Sequence, residues 1–210
     1  MRRAVGARDL RSDLRAGLSV LPLALRLTGK DVLVIGAGRV GAGKAGLLID
    51  AGARVTIITR DVLAELPRGL ASLEEREYRD GDLHGYALVV SATGHATTND
   101  RVVEEARREN IWLNVVDDPA RSDFYFTAVH RAGDVVVSVS TEGASPALAQ
   151  EIRSMIAHQL PDNLADVAKT LRRERDDVHA QGSSSEGIDW RPRIRELLGD
   201  SESSPQGLAR

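Results

Sequence analysis

The stretch from Lys30 to Arg60, KDVLVIGAGRVGAGKAGLLIDAGARVTIITR, leaves few folds open to this chain. An apolar run, Val32 to Ile35, enters a turn in which Gly36, Gly38 and Gly41 satisfy G-x-G-x-x-G. A helical pattern follows through Lys44 to Asp50, centred on Leu47 and Leu48, and Gly52 is placed to end it. A second β-branched run, Val55 to Ile58, comes next. Strand, turn, helix, strand is a complete βαβ unit. The glycine motif alone is a weak signal, but inside such a unit it points to a dinucleotide.

Each glycine has a separate task in that setting. Gly36 permits the tight turn, Gly38 lets backbone approach a pyrophosphate, and Gly41 lets the helix pack close to the strand. Arg39 and Val40 lie between them, at a helix start whose N–H groups and dipole favour an anion. The alternative is a glycine-rich turn with no ligand. An acidic residue closing the second strand would hold the ribose of NAD. Thr59 and Arg60 stand there instead, with Asp61 one step on. Arg60 suits a 2′-phosphate, so NAD and NADP both stay open.

The alternation continues. Leu63 to Leu73 reads as a short helix interrupted by Pro67, and Arg76 to Arg79 as a short strand. Tyr86 to Ala92 is a continuous apolar run, as expected of a parallel strand covered on both faces. Thr93 sits just past its carboxyl end, where open α/β sheets bind ligands. Thr97 to Asn110 predicts an amphipathic helix. Ile111 to Val116 predicts a strand with Trp112 in the core, delivering Asp117 and Asp118 to the same edge. Gly36, Thr93 and Asp117 are therefore expected at one rim.

The rhythm changes after Pro119. Phe124 to His130 and Asp134 to Thr141 read as a hairpin, rich in β-branched residues. Its edges need cover, so a homodimer is expected. Ser145 and Pro146 make a helix entry as N-cap and N1. Ala147 to Leu160 follows as helix, with Leu148, Ile152, Met155 and Ile156 on one face. Leu164 to Ala180 and Ile188 to Leu198 predict two more helices, joined by the flexible QGSSSEG. The expected organisation is a flexible extension over 1–20, a dinucleotide-binding domain over 21–118, a dimerisation region over 119–145, a helical domain over 146–200 and a disordered tail over 201–210.

Composition removes several function classes. The chain has no cysteine, which excludes disulfides, thiolate metal sites and a thiol nucleophile, and fits a cytoplasmic setting. A net charge of −3 gives no support to nucleic-acid binding. No apolar run is long enough to cross a bilayer. The arginine-rich start, followed by Leu18 to Leu25, does not read as a signal peptide, because Arg26 and Lys30 interrupt at once. Leu21, Leu23, Leu25 and Leu27 alternate, as in an extended segment lying on the fold.

Four segments together resemble one family. LPLALRLTGKDVLVIGAGRVGAGKAGLLIDAGA resembles the opening of the siroheme synthase N-terminal family, the precorrin-2 dehydrogenases. SAT at Ser91 to Thr93, with Asn99 downstream, is similar to the family's third-strand motif. NVVDDP at Asn114 to Pro119 is similar to its Asn-Val-Val-Asp segment. STEGASPALAQEIR at Ser140 to Arg153 is similar to its Ser-Pro segment and following helix. Order and spacing match from about Leu21 to about Leu160. Gly94-His95 departs from the family's usual polar or acidic pair.

The resemblance implies an α/β fold: a Rossmann-type parallel sheet, then a small β dimerisation region and a helical C-terminal domain. It implies NAD-dependent oxidation of precorrin-2 to sirohydrochlorin, with ferrous iron insertion in some members, by a homodimer. The methyltransferase domain some members carry is expected to be absent. Gly36, Gly38, Arg39, Val40, Gly41, Thr59, Arg60, Thr93 and Val115 are the implied cofactor contacts. Asp117 matches the carboxylate to which the family assigns catalysis. Asn114, Arg121, Ser145 and Arg153 are candidates for the acid-rimmed tetrapyrrole.

The chemistry is consistent with those assignments. Oxidising a reduced tetrapyrrole removes a hydride and a proton, and a carboxylate can take the proton. Chelation also needs a base, since two pyrrole protons leave as metal enters. The macrocycle brings its own four nitrogen ligands, so no protein metal site is expected. Without the resemblance, Asp117 reads more simply as a turn cap before Pro119. With it, Asp117 reads as the catalytic base. The competing function is a non-catalytic NAD(H)-binding sensor, which would want an acid at the end of the second strand; another is a tetrapyrrole carrier.

Overall fold

The computed structural model describes residues 20–199. The tail, and the extension up to residue 19, lie outside the described residues. The chain divides into two compact units, the first ending at Phe126 and the second beginning at Thr127.

The first unit is built on a five-stranded parallel sheet in the order β3-β2-β1-β4-β5. Its strands are β1 (Asp31–Ala37), β2 (Arg54–Val62), β3 (Ser72–Glu75), β4 (Leu88–Ser91) and β5 (Trp112–Val115). Helix α1 (Arg39–Asp50) follows β1, and α2 (Ala96–Glu109) follows β4. Strand side chains alternate between faces. Val32 and Val34 therefore pack with Ala45 and Leu48 of α1, while Leu33 and Ile35 pack with Val102, Val103 and Ala106 of α2. With both faces covered, Val32, Leu33, Val34, Val89 and Val90 have no exposed surface.

Strand order reverses at β1, which pairs with β2 on one side and β4 on the other. The carboxyl ends of β1 and β4 thus flank the switch point at which such sheets bind ligands. The register of β1 with β2 runs evenly to Ile35↔Ile58 and then jumps to Ala37↔Val62. Two residues of β1 are matched there by four of β2, and Arg60 and Asp61 lie inside that bulge.

Several sequence expectations are corrected. Leu63 to Leu73 forms no helix. Pro67 lacks the N–H a helix needs, and Gly69 adopts a positive φ of 91°. Leu66 and Leu70 still pack on the α1-side core, so an irregular crossover covers the sheet there. The third strand is Ser72–Glu75, upstream of the expected Arg76 to Arg79. It is a polar edge strand without the β-branched pattern that sequence reading relies on. Trp112 is 47 % exposed, outside the core. Leu21, Leu23 and Leu25 are exposed as well, and only Leu27 of that series packs on the core.

The loop between β3 and β4 is pinned to α2. Glu105, buried in α2, accepts the Tyr78 hydroxyl and the N–H groups of Gly81 and Leu83 at 3.0 and 3.1 Å. Arg76 and Asp82 clamp the same loop at 2.6 Å.

The second unit holds the hairpin β6 (Ala128–Ala132) and β7 (Val135–Val139), with α3 (Pro146–Gln159), α4 (Leu164–Ala180) and α5 (Arg191–Leu198). The hairpin starts later than expected, leaving Phe124 and Phe126 in the first unit's core. Gly133 turns the hairpin at φ 57°, and a Cβ there would come 2.9 Å from Ala165 of α4. Leu148 and Met155 are exposed, while Ile152 and Ile156 are half-buried, so the expected apolar face of α3 is only partly covered within this chain.

Candidate functional site

The three motif glycines differ in what holds them. A Cβ on Gly36, at φ 103°, would meet the Ala92 carbonyl oxygen at 2.5 Å. A Cβ on Gly41 would meet the Gly36 carbonyl oxygen at 2.1 Å. The fold itself forbids side chains at both. A Cβ on Gly38 would meet nothing within 4 Å, at an ordinary φ of −76°. No internal packing requires glycine at that position; what its bare backbone leaves open is the space in front of α1.

That helix start is free to receive an anion. Gly38 is the N-cap and donates no side chain, and the first turn holds no acidic residue. Ala42 N–H is the first to bond back, to Gly38 O at 2.9 Å. Arg39 and Val40, both exposed, therefore carry orphan N–H groups together with Gly41. These donors, the helix dipole and the uncovered Gly38 fit a pyrophosphate.

Thr59 is buried, and its hydroxyl is used internally. It accepts Ala37 N–H at 3.1 Å and donates to Asp61 O at 2.7 Å, fastening the bulge of β2 to β1. Arg60 and Asp61 project outward as a 2.9 Å ion pair, each more than half exposed. The acid that sequence reading found displaced is thus carried outward by the bulge.

On the other side of the switch point, Ser91 and Thr93 both donate to Asn99 Oδ1, at 2.7 and 3.0 Å, and His95 N–H returns to Thr93 Oγ1. This network fixes the turn into α2. Asn114 is buried and donates to Phe124 O at 2.9 Å. Val115 is 1 % exposed, and its N–H and carbonyl are both taken by the Ser122 hydroxyl. Asn114 and Val115 therefore have internal tasks that the sequence did not reveal. Both hold the strand end from which Asp117 emerges.

Asp117 stands at φ 61°, in the left-handed region that costs most residues about 1–2 kcal/mol. Aspartate tolerates it better than most. The side chain is exposed and makes no hydrogen bond among the described residues. Its neighbour is different: Asp118 accepts from Arg121 Nε at 2.5 Å, and Arg121 also reaches Asp100 at 2.6 Å. The hydrogen bonds of Asp118, then Asp100, hold the Arg121 guanidinium above its ordinary range. So Arg121 is committed to two carboxylates of its own chain.

One group was missed from the sequence. Lys44 of α1 is half-buried, with its Nζ 4.0 Å from the ring centroid of Phe126. Burial pulls its ammonium below the ordinary lysine range, and the charge of Asp117 pulls the other way. Phe126 in turn packs tilted against Phe124, centroids 5.7 Å apart. Nothing local signals this, since Phe126 is far along the chain. The one hint is a lone lysine inside an otherwise small and apolar helix, AGKAG.

Ser145 and Arg153 belong to the second unit. Ser145 caps α3, its Oγ accepting Leu148 N–H at 3.2 Å. Arg153 donates to Gln150 at 3.0 Å, while its Nε is buried without a partner among the described residues. A cavity of about 480 Å³ borders α1 and the β2–β3 crossover, lined by Arg39, Gly43, Glu65 and Arg68 among others. A larger one, about 620 Å³, lies at the amino ends of the strands beside Lys30, His84 and Tyr86, away from every candidate residue. Among the described residues no group of three or more His, Asp or Glu could hold a metal ion, and no helix is long and apolar enough to cross a membrane.

A family model described as "Putative NAD(P)-binding" matches residues 23–128. The siroheme synthase of Methylococcus capsulatus is 39 % identical over 156 residues, which are 72 % of this chain and 33 % of that protein. The siroheme synthase of Pseudomonas paraeruginosa is 37 % identical over 187 residues, 87 % of this chain and 37 % of that protein. The chain thus spans about a third of the length of these relatives. Among solved structures, SirC, a precorrin-2 dehydrogenase, superposes with a TM-score of 0.65 at 22 % identity, covering 86 % of this chain and 88 % of its own. At that identity the likeness speaks to the fold.

Proposed function

The chain belongs to the NAD(P)-binding family, and from that premise we propose that it is a precorrin-2 dehydrogenase, oxidising precorrin-2 to sirohydrochlorin with NAD. The observation that carries this is Asp117, a carboxylate without a hydrogen-bond partner among the described residues, just beyond the end of β5 on the carboxyl edge that also carries the uncapped glycine turn. Similarity to siroheme synthases over 72 to 87 % of this chain supports the choice of substrate and does not favour a sensor.

In this reading the N–H groups of Arg39, Val40 and Gly41 hold the pyrophosphate, and Gly38 leaves room for it. Asp61, carried outward by the bulge beside its ion-pair partner Arg60, would be the acid available to the ribose. Bound NAD supplies the hydride acceptor. Asp117 takes the proton that leaves the macrocycle, so that precorrin-2 loses one hydride and one proton. The same carboxylate suits the deprotonation needed for iron insertion, with the ferrous ion as a substrate.

We also read the second unit as the dimerisation unit of a cytoplasmic homodimer. Val129 and Val136 face outward from a two-stranded sheet whose outer edges are unpaired among the described residues. The test of function is direct. Purified protein with NAD and precorrin-2 is expected to generate the visible absorption of sirohydrochlorin together with NADH. A folded, NAD-binding protein that leaves the spectrum unchanged would refute the assignment.

A further inference from the structure

We propose that Lys44 is a substrate-positioning residue: its ammonium, carried on the face of Phe126, binds one carboxylate of the acid-rimmed macrocycle and so sets which ring atoms face Asp117. The proposal rests on the function proposed above, and it adds a residue that the sequence did not single out.

Most half-buried cations are held by a carboxylate, because a desolvated charge is costly when unpaired. In this same unit Arg76 has Glu74 and Asp82, and Arg121 has Asp100 and Asp118. Lys44 has no carboxylate within ion-pair distance among the described residues. It rests instead on the Phe126 ring, at 4.0 Å. A ring face compensates an ammonium only partly and leaves its three donors unfilled.

Lys44 sits in the second turn of α1, the helix whose free amino end faces the cofactor space. The anion whose field reaches it is Asp117. Asp117 likewise accepts no hydrogen bond among the described residues. Asp118, Arg121 and Asp100 satisfy one another, while Lys44 and Asp117 have no such partner among the described residues. A cation and a base left open near one rim suit a ligand that carries both carboxylates and a removable proton.

An anionic oxygen at Lys44 has two sources, a substrate carboxylate or a cofactor phosphate, and the test separates them. The full chain and its K44M and K44R variants are titrated with sirohydrochlorin, followed by its visible absorption, and separately with NADH, followed by fluorescence. Met keeps the apolar stem on Phe126, and Arg keeps the charge. K44M is expected to weaken sirohydrochlorin binding about tenfold, the scale of one charge-assisted contact, and to leave NADH within about twofold. K44R is expected to retain most of the tetrapyrrole affinity, and KM for precorrin-2 should rise more than kcat falls in K44M. Unchanged tetrapyrrole affinity in K44M overturns the proposal alone. So does a matching loss of NADH, which would assign Lys44 to the cofactor phosphate. Wild-type protein that takes NADH but no tetrapyrrole overturns both the proposal and the function beneath it.

Discussion

The three motif glycines separate folding from binding one residue at a time. G41A drives a Cβ into backbone at 2.1 Å and is expected to cost at least about 3 kcal/mol, read as a fall in the thermal midpoint. G38A meets open space and should cost under about 1 kcal/mol, chiefly for the poorer N-cap, yet weaken NADH about tenfold or more. A G38A variant that binds NADH normally would remove the pyrophosphate from that turn. Asp117 offers a second separation. D117N keeps the shape and tolerates the left-handed φ of 61°, so it should fold as well as wild type while turnover drops by about 100-fold or more. D117G relieves the backbone and is expected to unfold later than D117A, by about 1 kcal/mol, although neither turns over precorrin-2.

At the scale of elements, the loop between β3 and β4 is held by charge. Burial works to raise the Asp82 carboxyl, but the Arg76 guanidinium and the Arg79 N–H outweigh it and keep its pKa below the ordinary value. A depressed carboxylate stabilises the fold in full above its unfolded pKa of about 4, and that contribution is lost as pH falls through the lower, folded value. D82N is therefore expected to cost about 1 kcal/mol near neutrality, where solvent partly screens the pair, and progressively less as acid titrates the folded carboxylate. Urea unfolding across pH checks this; a penalty that persists in acid would place the effect in packing rather than charge. Local signals of this kind decide what a sequence reveals. The βαβ unit, the strand after Tyr86 and the Ser145 cap were legible because periodicity, glycines and capping chemistry act over a few residues. The polar edge strand Ser72–Glu75 carried no such pattern, and Pro67 and Gly69 together abolished a helix that apolar spacing suggested. Thr59, Asn114 and Val115 read from sequence as cofactor or substrate contacts; what sequence could not reveal is that each also has an internal hydrogen-bond partner brought near by the fold. Lys44 was invisible for the same reason, since its ring lies on a segment beyond β5.

For the whole molecule, the first unit supplies the switch point and the second an incomplete surface of its own. Leu148 and Met155 of α3 and the outward valines of the hairpin are exposed among the described residues. Light scattering on the full chain is expected to give twice the chain mass, and a V136K variant should shift it toward a single chain; a monomeric wild type would leave those side chains unexplained by self-association. The uncovered Cβ direction at Gly38 reaches beyond any one molecule. Positions 36 and 41 are locked by their own backbone and must survive for as long as the fold does. Position 38 meets no such clash among the described residues, and in the proposed reading its main constraint is the dinucleotide. A descendant that abandons its cofactor is free to drift there first, so that single letter records whether redox chemistry still disciplines the lineage.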